Sequence, residues 1–327
     1  MRSLGRWLGR ALLVLVLLVA AVWIFAPAEP VERAGPVAVD LGDPAAFYAA
    51  REAMFDDITP GTEARIIWAG EAGARAPLAV LYIHGFSATS EEIRPVPDTV
   101  AAELGANLVY PRLTGHGRGG TAMAEARAGD WIDDTAEALA VARAVGERVL
   151  VIGTSTGATL AAIAVTEPDM AEAIAGAIMV SANFELANPA AVLLEWPAAR
   201  VWVPWLVGDT RSFDVQNARH GTYWTPSYPT VAAVPLAALM REARNRDYTD
   251  VTVPLLSIYS PEDQVISAEA AQAFADGWGG PVTAVPLDLP EEGADPYSHV
   301  IAGDILSPAM SAPVTDLILD WVATQGL

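Results

Sequence analysis

Ser155 lies in Gly153-Thr-Ser-Thr-Gly157, directly after the apolar run Val149-Leu-Val-Ile152 and directly before a stretch rich in alanine and leucine. This pattern predicts a strand, a sharp turn and a helix, with the serine exposed at the head of the helix. The turn demands strained backbone angles at the serine, and neighbouring side chains would collide if positions 153 and 157 carried a Cβ. Helix-terminal N–H groups and the helix dipole favour the negative charge that builds up when a serine hydroxyl attacks an acyl carbon. The chemistry expected of Ser155 is therefore nucleophilic acyl transfer.

Such a serine needs a base, and the chain offers only four histidines. His84, in Ile83-His-Gly-Phe86, follows a buried strand ahead of the nucleophile and is expected to be structural. His116, in Pro111-Arg-Leu-Thr-Gly-His-Gly117, reads as a residue that orders its loop. His220 sits in an irregular segment, where a loosely held side chain is poorly aimed. His299, in Tyr297-Ser-His-Val300, follows the last expected strand, where a loop can carry the imidazole to Ser155.

The carboxylate that fixes the imidazole tautomer is expected between serine and histidine. Asp263 fits best, because Leu255 to Tyr259 reads as a buried strand and Ser260-Pro-Glu-Asp-Gln-Val-Ile266 is the loop at its C-terminal end, where sites in open α/β sheets form. Glu262 is the neighbouring alternative. Asp288 and Asp295 read as solvated loop charges. An oxyanion needs donors, and the backbone N–H groups of Thr156 and Phe86 suit, the second in a loop that Gly85 lets approach closely.

A sheet must hold these groups in place. Arg65 to Trp68, Leu78 to Ile83, Asn107 to Tyr110, the run before Ser155, Ala177 to Val180, Pro254 to Tyr259 and Val282 to Leu287 read as strands. Pro97 to Leu104, Trp131 to Val145, Ala268 to Trp278 and Val314 to Val322 read as helices. The alternation predicts an α/β, doubly wound, mostly parallel sheet over residues 45–327. From about 185 to 250 the pattern turns irregular and aromatic, with Trp196, Trp202, Trp205, Phe213, Tyr223, Trp224 and Tyr228 among several prolines. A connection of that length is expected to be a cap over the site, its aromatics divided between an acyl pocket and the cap's own core.

The N-terminus reads as an export signal. Arg2, Arg6 and Arg10 precede the charge-free run Ala11 to Ala26, and the first acid is Glu29. At 1.5 Å per residue the run spans about 24 Å, so residues 1–28 are expected to be an uncleaved anchor if Trp7, Leu8 and the Pro27-Ala28 flank contribute. A signal peptide cleaved near Ala28 is the alternative, since Ala26-Pro27-Ala28 fits a small-x-small site. Either way the arginines keep the N-terminus in the cytoplasm and the body outside it. Residues 29–44, rich in Pro, Gly and Ala, read as a linker.

The 327-residue chain is 53% hydrophobic and can fill one large core. With 40 acidic against 19 basic residues, all of them arginine, its net charge of −21 argues against nucleic acid and anionic polymers as partners. The absence of cysteine excludes disulfides, thiol catalysis and cysteine-based zinc sites.

Taken in order, His84-Gly85-Phe86, Thr114-Gly-His-Gly117, the Ser155 pentad, Ser260-Pro-Glu-Asp263-Gln-Val and Ser298-His299-Val resemble the α/β-hydrolase superfamily. The branch most similar is the carboxylesterase and monoacylglycerol-lipase-like group, often labelled serine aminopeptidase-like. The resemblance covers roughly Arg65 to Leu327 and implies a catalytic Ser155, Asp263 and His299, oxyanion donors at Phe86 and Thr156, and neither cofactor nor metal. Threonine on both sides of Ser155 departs from the histidine or methionine often found there. The expected activity is hydrolysis of a carboxylic ester with an apolar acyl group. Peptidase or amidase action, with Glu185, Glu195 or Asp209 anchoring an amine, acyl transfer, and a membrane-tethered binding protein that lost the chemistry are the rivals.

Overall fold

In a computed structural model, residues 2–34 and 41–327 are described, without the side chains at 2–5, 15, 18, 19, 22 and 25. The elements run α1 (Arg2–Phe25), α2 (Pro44–Glu52), β1 (Arg65–Ile67), β2 (Ala76–Ile83), α3 (Val96–Glu103), β3 (Asn107–Tyr110), α4 (Gly120–Met123), α5 (Ala128–Val145), β4 (Gly146–Thr154), α6 (Thr156–Thr166), α7 (Pro168–Ala171) and β5 (Ile174–Val180). They continue with α8 (Ala199–Val207), β6 (Thr210–Ser212), α9 (Ala218–Tyr223), β7 (Ser227–Pro229), α10 (Ala233–Arg244), β8 (Leu255–Tyr259), α11 (Ala268–Asp276), β9 (Val282–Pro286) and α12 (Ser311–Gln325).

Strand β2 alternates strictly between the two faces of its sheet, and both are buried. Ala79, Leu81 and Ile83 join the core under α5 and α6, while Leu78, Val80 and Tyr82 join the core under α3 and α12. A period of two with apolar residues on both faces is the signature of a strand covered by helices on each side. The sheet has seven strands in the order β1-β3-β2-β4-β5-β8-β9, parallel except for β1, which pairs antiparallel with β3. This is the doubly wound, mostly parallel α/β sheet expected from the alternation. Ser155 follows the central strand β4, and Asp263 and His299 follow β8 and β9, so all three lie beyond the C-terminal edge of the sheet.

The segment expected as a cap contains a short 3-10 helix at Pro189–Glu195, α8, α9 and the β6-β7 hairpin. Its last part behaves differently. Helix α10 buries Leu236 to Met240 and Ala243 in the core shared with α5 and α6, so it covers the sheet as the other helices do. The irregular insertion therefore ends near Ala232, earlier than the aromatic and proline pattern suggested.

The stretch expected as a linker is bound where it is described. Glu29 is buried, Val31 packs on the core, and Arg33 Nε donates to Asp133 Oδ1 at 2.8 Å. Residues 35–40 of that stretch lie outside the described residues. Asp43 then caps α2, accepting from Ala45 N and Ala46 N with Pro44 in the first turn, a start signal the linker reading passed over. Helix α1 has 24 residues, about 36 Å. Among the described residues no helix is long and apolar enough to cross a membrane.

Candidate active site

The Ser155 turn is strained, as expected of a nucleophile turn. Its φ is +52° and ψ −114°, outside the usual basins for a residue with a Cβ. The geometry holds because the strand and helix on either side are locked. Ser155 N donates to Val180 O at 2.8 Å, and a Cβ on Gly157 would overlap the carbonyl oxygen of Ile83. The start of α6 is thereby pressed against the end of β2.

His299 meets Ser155 with Nε2 3.1 Å from Oγ, and meets Asp263 with Nδ1 2.8 Å from Oδ2. An ionised carboxylate only accepts, so Nδ1 carries the proton and Nε2 offers its lone pair to the serine hydroxyl. Asp263 is fixed in turn, its Oδ1 accepting from Val265 N (2.8 Å) and Ile266 N (2.9 Å), and its side chain is buried. Burial disfavours the imidazolium most strongly of any single cause, but the charge and hydrogen bond of Asp263 together with the charges of Glu92 and Asp295 outweigh it and hold the His299 pKa above the ordinary histidine value. Glu262 is exposed, and its side chain does not reach the imidazole.

The other histidines lie elsewhere. His84 is buried, its Nδ1 3.0 Å from Gly85 O while its Nε2 accepts from Leu113 N at 3.2 Å, and burial pushes its pKa down to about 4. His116 rests its ring on His84 with Nδ1 3.1 Å from Thr114 O, and burial lowers its pKa as well. Both order the loops after β2 and β3. His220 is far from loose, contrary to expectation: it is buried, accepts from Gln216 N, and packs against Phe213 and Trp224. Its ring is a core element of the insertion.

Asp288 is exposed as expected, but Asp295 is buried and organises the loop that carries His299. Its carboxylate accepts from Tyr297 N (3.2 Å), His299 N (3.2 Å) and Val300 N (2.9 Å), and Ser181 Oγ donates to His299 O at 2.7 Å. Glu92 is a second buried acid at the site, one that the sequence alone does not single out. Gly85 N and the Tyr82 hydroxyl donate to its Oε2 at 2.7 and 2.8 Å, and burial raises its pKa to about 7. The signal for Asp295 was present in Asp295-Pro-Tyr-Ser298, a turn with an acceptor at its first position. No such signal marks Glu92, whose neighbour Glu91 is buried as well.

The Phe86 and Thr156 amides have no hydrogen-bond acceptor among the described residues. The loop bearing Phe86 comes close, since a Cβ on Gly85 would stand 3.2 Å from Ser155 Cβ. Thr156 Oγ1 and Asn183 Oδ1 are buried beside the turn without partners among the described residues. The insertion closes on this loop, with Thr225 N donating to Ser87 O at 2.7 Å and the Tyr228 ring 5.3 Å from that of Phe86. The expected division of the insertion's aromatics is uneven. Trp224 and Tyr228 are buried, whereas Trp205 is 90% exposed and lines no interior. A cavity of about 210 Å³ borders Asp263, but Glu185 and Glu269 line it too, which suits it poorly to an acyl chain. Among the described residues no group of His, Asp and Glu could hold a metal ion.

A sequence profile of the family described as serine aminopeptidase, S33, matches residues 74–285. The "Thermostable monoacylglycerol lipase" of Bacillus sp. (strain H-257) is 26% identical over 202 residues, covering 62% of this chain and 76% of that protein. Among solved structures, one reported for "LipS and LipT, two metagenome-derived lipolytic enzymes" superposes with a TM-score of 0.63 at 20% identity, over 82% of this chain and 99% of the other. A soluble variant of monoglyceride lipase from Saccharomyces cerevisiae, in complex with a substrate analog, gives a TM-score of 0.59 at 12% identity, over 80% and 91% of the two chains. At these identities the structural likeness establishes the fold.

Proposed function

Because the chain belongs to the serine aminopeptidase, S33, family of the α/β-hydrolase superfamily, in its lipase- and esterase-like branch, we propose that it hydrolyses carboxylic esters with an apolar acyl group through an acyl-enzyme on Ser155. The observation that carries this reading is the relay from Asp263 through His299 to Ser155 at 2.8 and 3.1 Å. His299 takes the serine proton as Oγ attacks and returns it to the leaving alcohol, while Asp263 stabilises the imidazolium. The Phe86 and Thr156 amides receive the oxyanion, each donor worth about 3 kcal/mol to the transition state. Water, activated by the same imidazole, then releases the acid.

The acyl group lies along Phe86 and Tyr228, whose rings stand 5.3 Å apart on the loop that carries the Phe86 amide and on the insertion that closes on it. Thr156 Oγ1 and Asn183 Oδ1 are left for water or for polar groups of the substrate, which suits an ester of a polyol such as a monoacylglycerol. Of the acids that could anchor a peptide amine, Glu195 is engaged by Arg244 Nη2 at 2.5 Å, whereas Glu185 lines the cavity beside Asp263 and is the anchor the peptidase rival would use. In this proposal the apolar helix α1 holds the body at the outer face of a membrane, and cleavage near Ala28 would release it as an exported soluble enzyme.

The test compares p-nitrophenyl butyrate and a monoacylglycerol with aminoacyl-naphthylamides. The esters should be turned over with a much higher kcat/KM. A preference for the amides would replace the esterase reading with a peptidase one, and acyl transfer would show as ester synthesis when an alcohol is added. No turnover of any of them would favour a binding protein.

A further inference from the structure

Where the chain leaves α1 it is clamped to the insertion. Pro27 O accepts from Ala198 N at 3.1 Å, and the Trp23 ring meets that of Trp196 edge-on at 4.9 Å. The buried Glu29 carboxylate accepts from Arg200 Nε and Nη2 at 2.7 and 2.6 Å and from Arg127 Nη1 at 3.1 Å, and Arg241 Nη2 reaches its carbonyl at 2.5 Å. Burial alone would raise the Glu29 pKa, but the arginines outweigh it and lower it, so the clamp is an ion pair at neutral pH.

Arg200 belongs to α8, whose composition does not suit water. Ala199 and Val203 are buried against Leu194 and Val234. Yet Val201, Trp205, Leu206 and Val207 are 68%, 90%, 64% and 63% exposed. The one charged side chain of the helix, Arg200, is held by Glu29. A helix with apolar residues on its inner and outer surfaces has one face without a partner.

The occupant of that face is indicated by what lies beside it. Helix α1 exposes Leu12, Leu13, Val14, Leu17 and Ile24, each by more than half, and its last turn touches the residues just before α8. The nine residues of α8 extend only about 14 Å, so its exposed face stays close to the end of the apolar helix. Trp23 and Trp196 meet there, Trp205 stands exposed on α8, and tryptophan favours the boundary between lipid and water. On the reading of α1 as a membrane anchor, we infer that the outer face of α8 sits in the same lipid surface. The insertion then lies on the membrane, and acyl esters enter the site from lipid. A net charge of −21 directs this contact to zwitterionic lipid.

The chain has no cysteine, so single reporters can be placed cleanly. Full-length Trp205→Cys, Leu17→Cys and exposed Ala323→Cys, each carrying a polarity-sensitive fluorophore, are reconstituted in phosphatidylcholine vesicles containing spin-labelled phosphatidylcholine. Positions 205 and 17 should both be quenched, with blue-shifted emission, and 323 should not. Quenching at 17 without 205 overturns the inference and leaves the anchor intact. Quenching at neither, with the chain failing to float with vesicles, overturns the anchor reading and this inference together. Oxidative dimers of Trp205→Cys, with no quenching, would assign the face to a second copy. Separately, Val201→Asp with Trp205→Asp should leave p-nitrophenyl acetate turnover unchanged and lower kcat/KM on a vesicle-dissolved ester by about tenfold. Equal hydrolysis of the vesicle ester also overturns the inference.

Discussion

Glu92 Oε2 accepts from the Gly85 amide at 2.7 Å, immediately before the Phe86 amide proposed to hold the oxyanion. A buried carboxyl thus fixes the loop from behind while Ser155 approaches it from in front, leaving no room for a side chain at position 85.

Glu92 should make stability pH-dependent. Its pKa rises from 4.5 to about 7 in the folded protein, so the folded state favours the neutral acid. The stabilisation is complete below pH 4.5 and is lost as pH rises through 7, amounting to roughly 3 kcal/mol. Glu92→Gln keeps an acceptor for Gly85 N and removes the titration. Between pH 5 and 8 the Tm of the parent should fall relative to that of Glu92→Gln. Parallel curves would contradict this.

The acid limb of activity should report His299. The proposed base works only when neutral, so kcat/KM should rise with pH through a pKa above the ordinary 6.5, because Asp263 and the neighbouring acids Glu92 and Asp295 together outweigh burial. Asp263→Asn should lower turnover by about 10³- to 10⁴-fold and shift the remaining limb below that of the parent. Glu92→Gln should shift it down by less. An unmoved limb in Asp263→Asn would assign the titration to another group.

The sequence disclosed this relay because the fold puts chemistry where strands end. The Gly153 and Gly157 pair, the buried runs before Asp263 and His299, and the order of the three residues carried their positions without any contact being known. What stayed hidden depends on contacts between distant segments. Glu92 and Asp295 look like the other surplus acids of a chain with 40 of them, and only the fold shows that the Gly85 and Val300 amides need them. Likewise, Pro- and Gly-rich composition marked residues 29–44 as a linker, although Arg200 and Arg127 lie in wait for Glu29 across the fold. Local polarity could not separate α10 from the insertion, because its apolar face is completed by α5 and α6.

Chain-length preference should depend on Tyr228. Each acyl methylene buried along the Phe86 and Tyr228 rings should add up to about 0.8 kcal/mol. Tyr228→Ala should therefore lower the ratio of hexanoate to acetate ester turnover several-fold, a ratio that cancels any loss of folded protein. Trp205→Ala should leave that ratio unchanged for soluble esters, since its side chain faces outward. If Trp202→Ala flattens the profile and Tyr228→Ala does not, the acyl group runs under α8 instead.

The account rests on Ser155 as the nucleophile, and covalent labelling tests it most directly. Full-length protein treated with a fluorophosphonate should gain one phosphonyl group, located by peptide mass spectrometry on Ser155. Ser155→Ala should lose both labelling and ester hydrolysis while its Tm stays within a few degrees of the parent, since only one oxygen is removed. Labelling elsewhere, or undiminished ester turnover in Ser155→Ala, would contradict the mechanism.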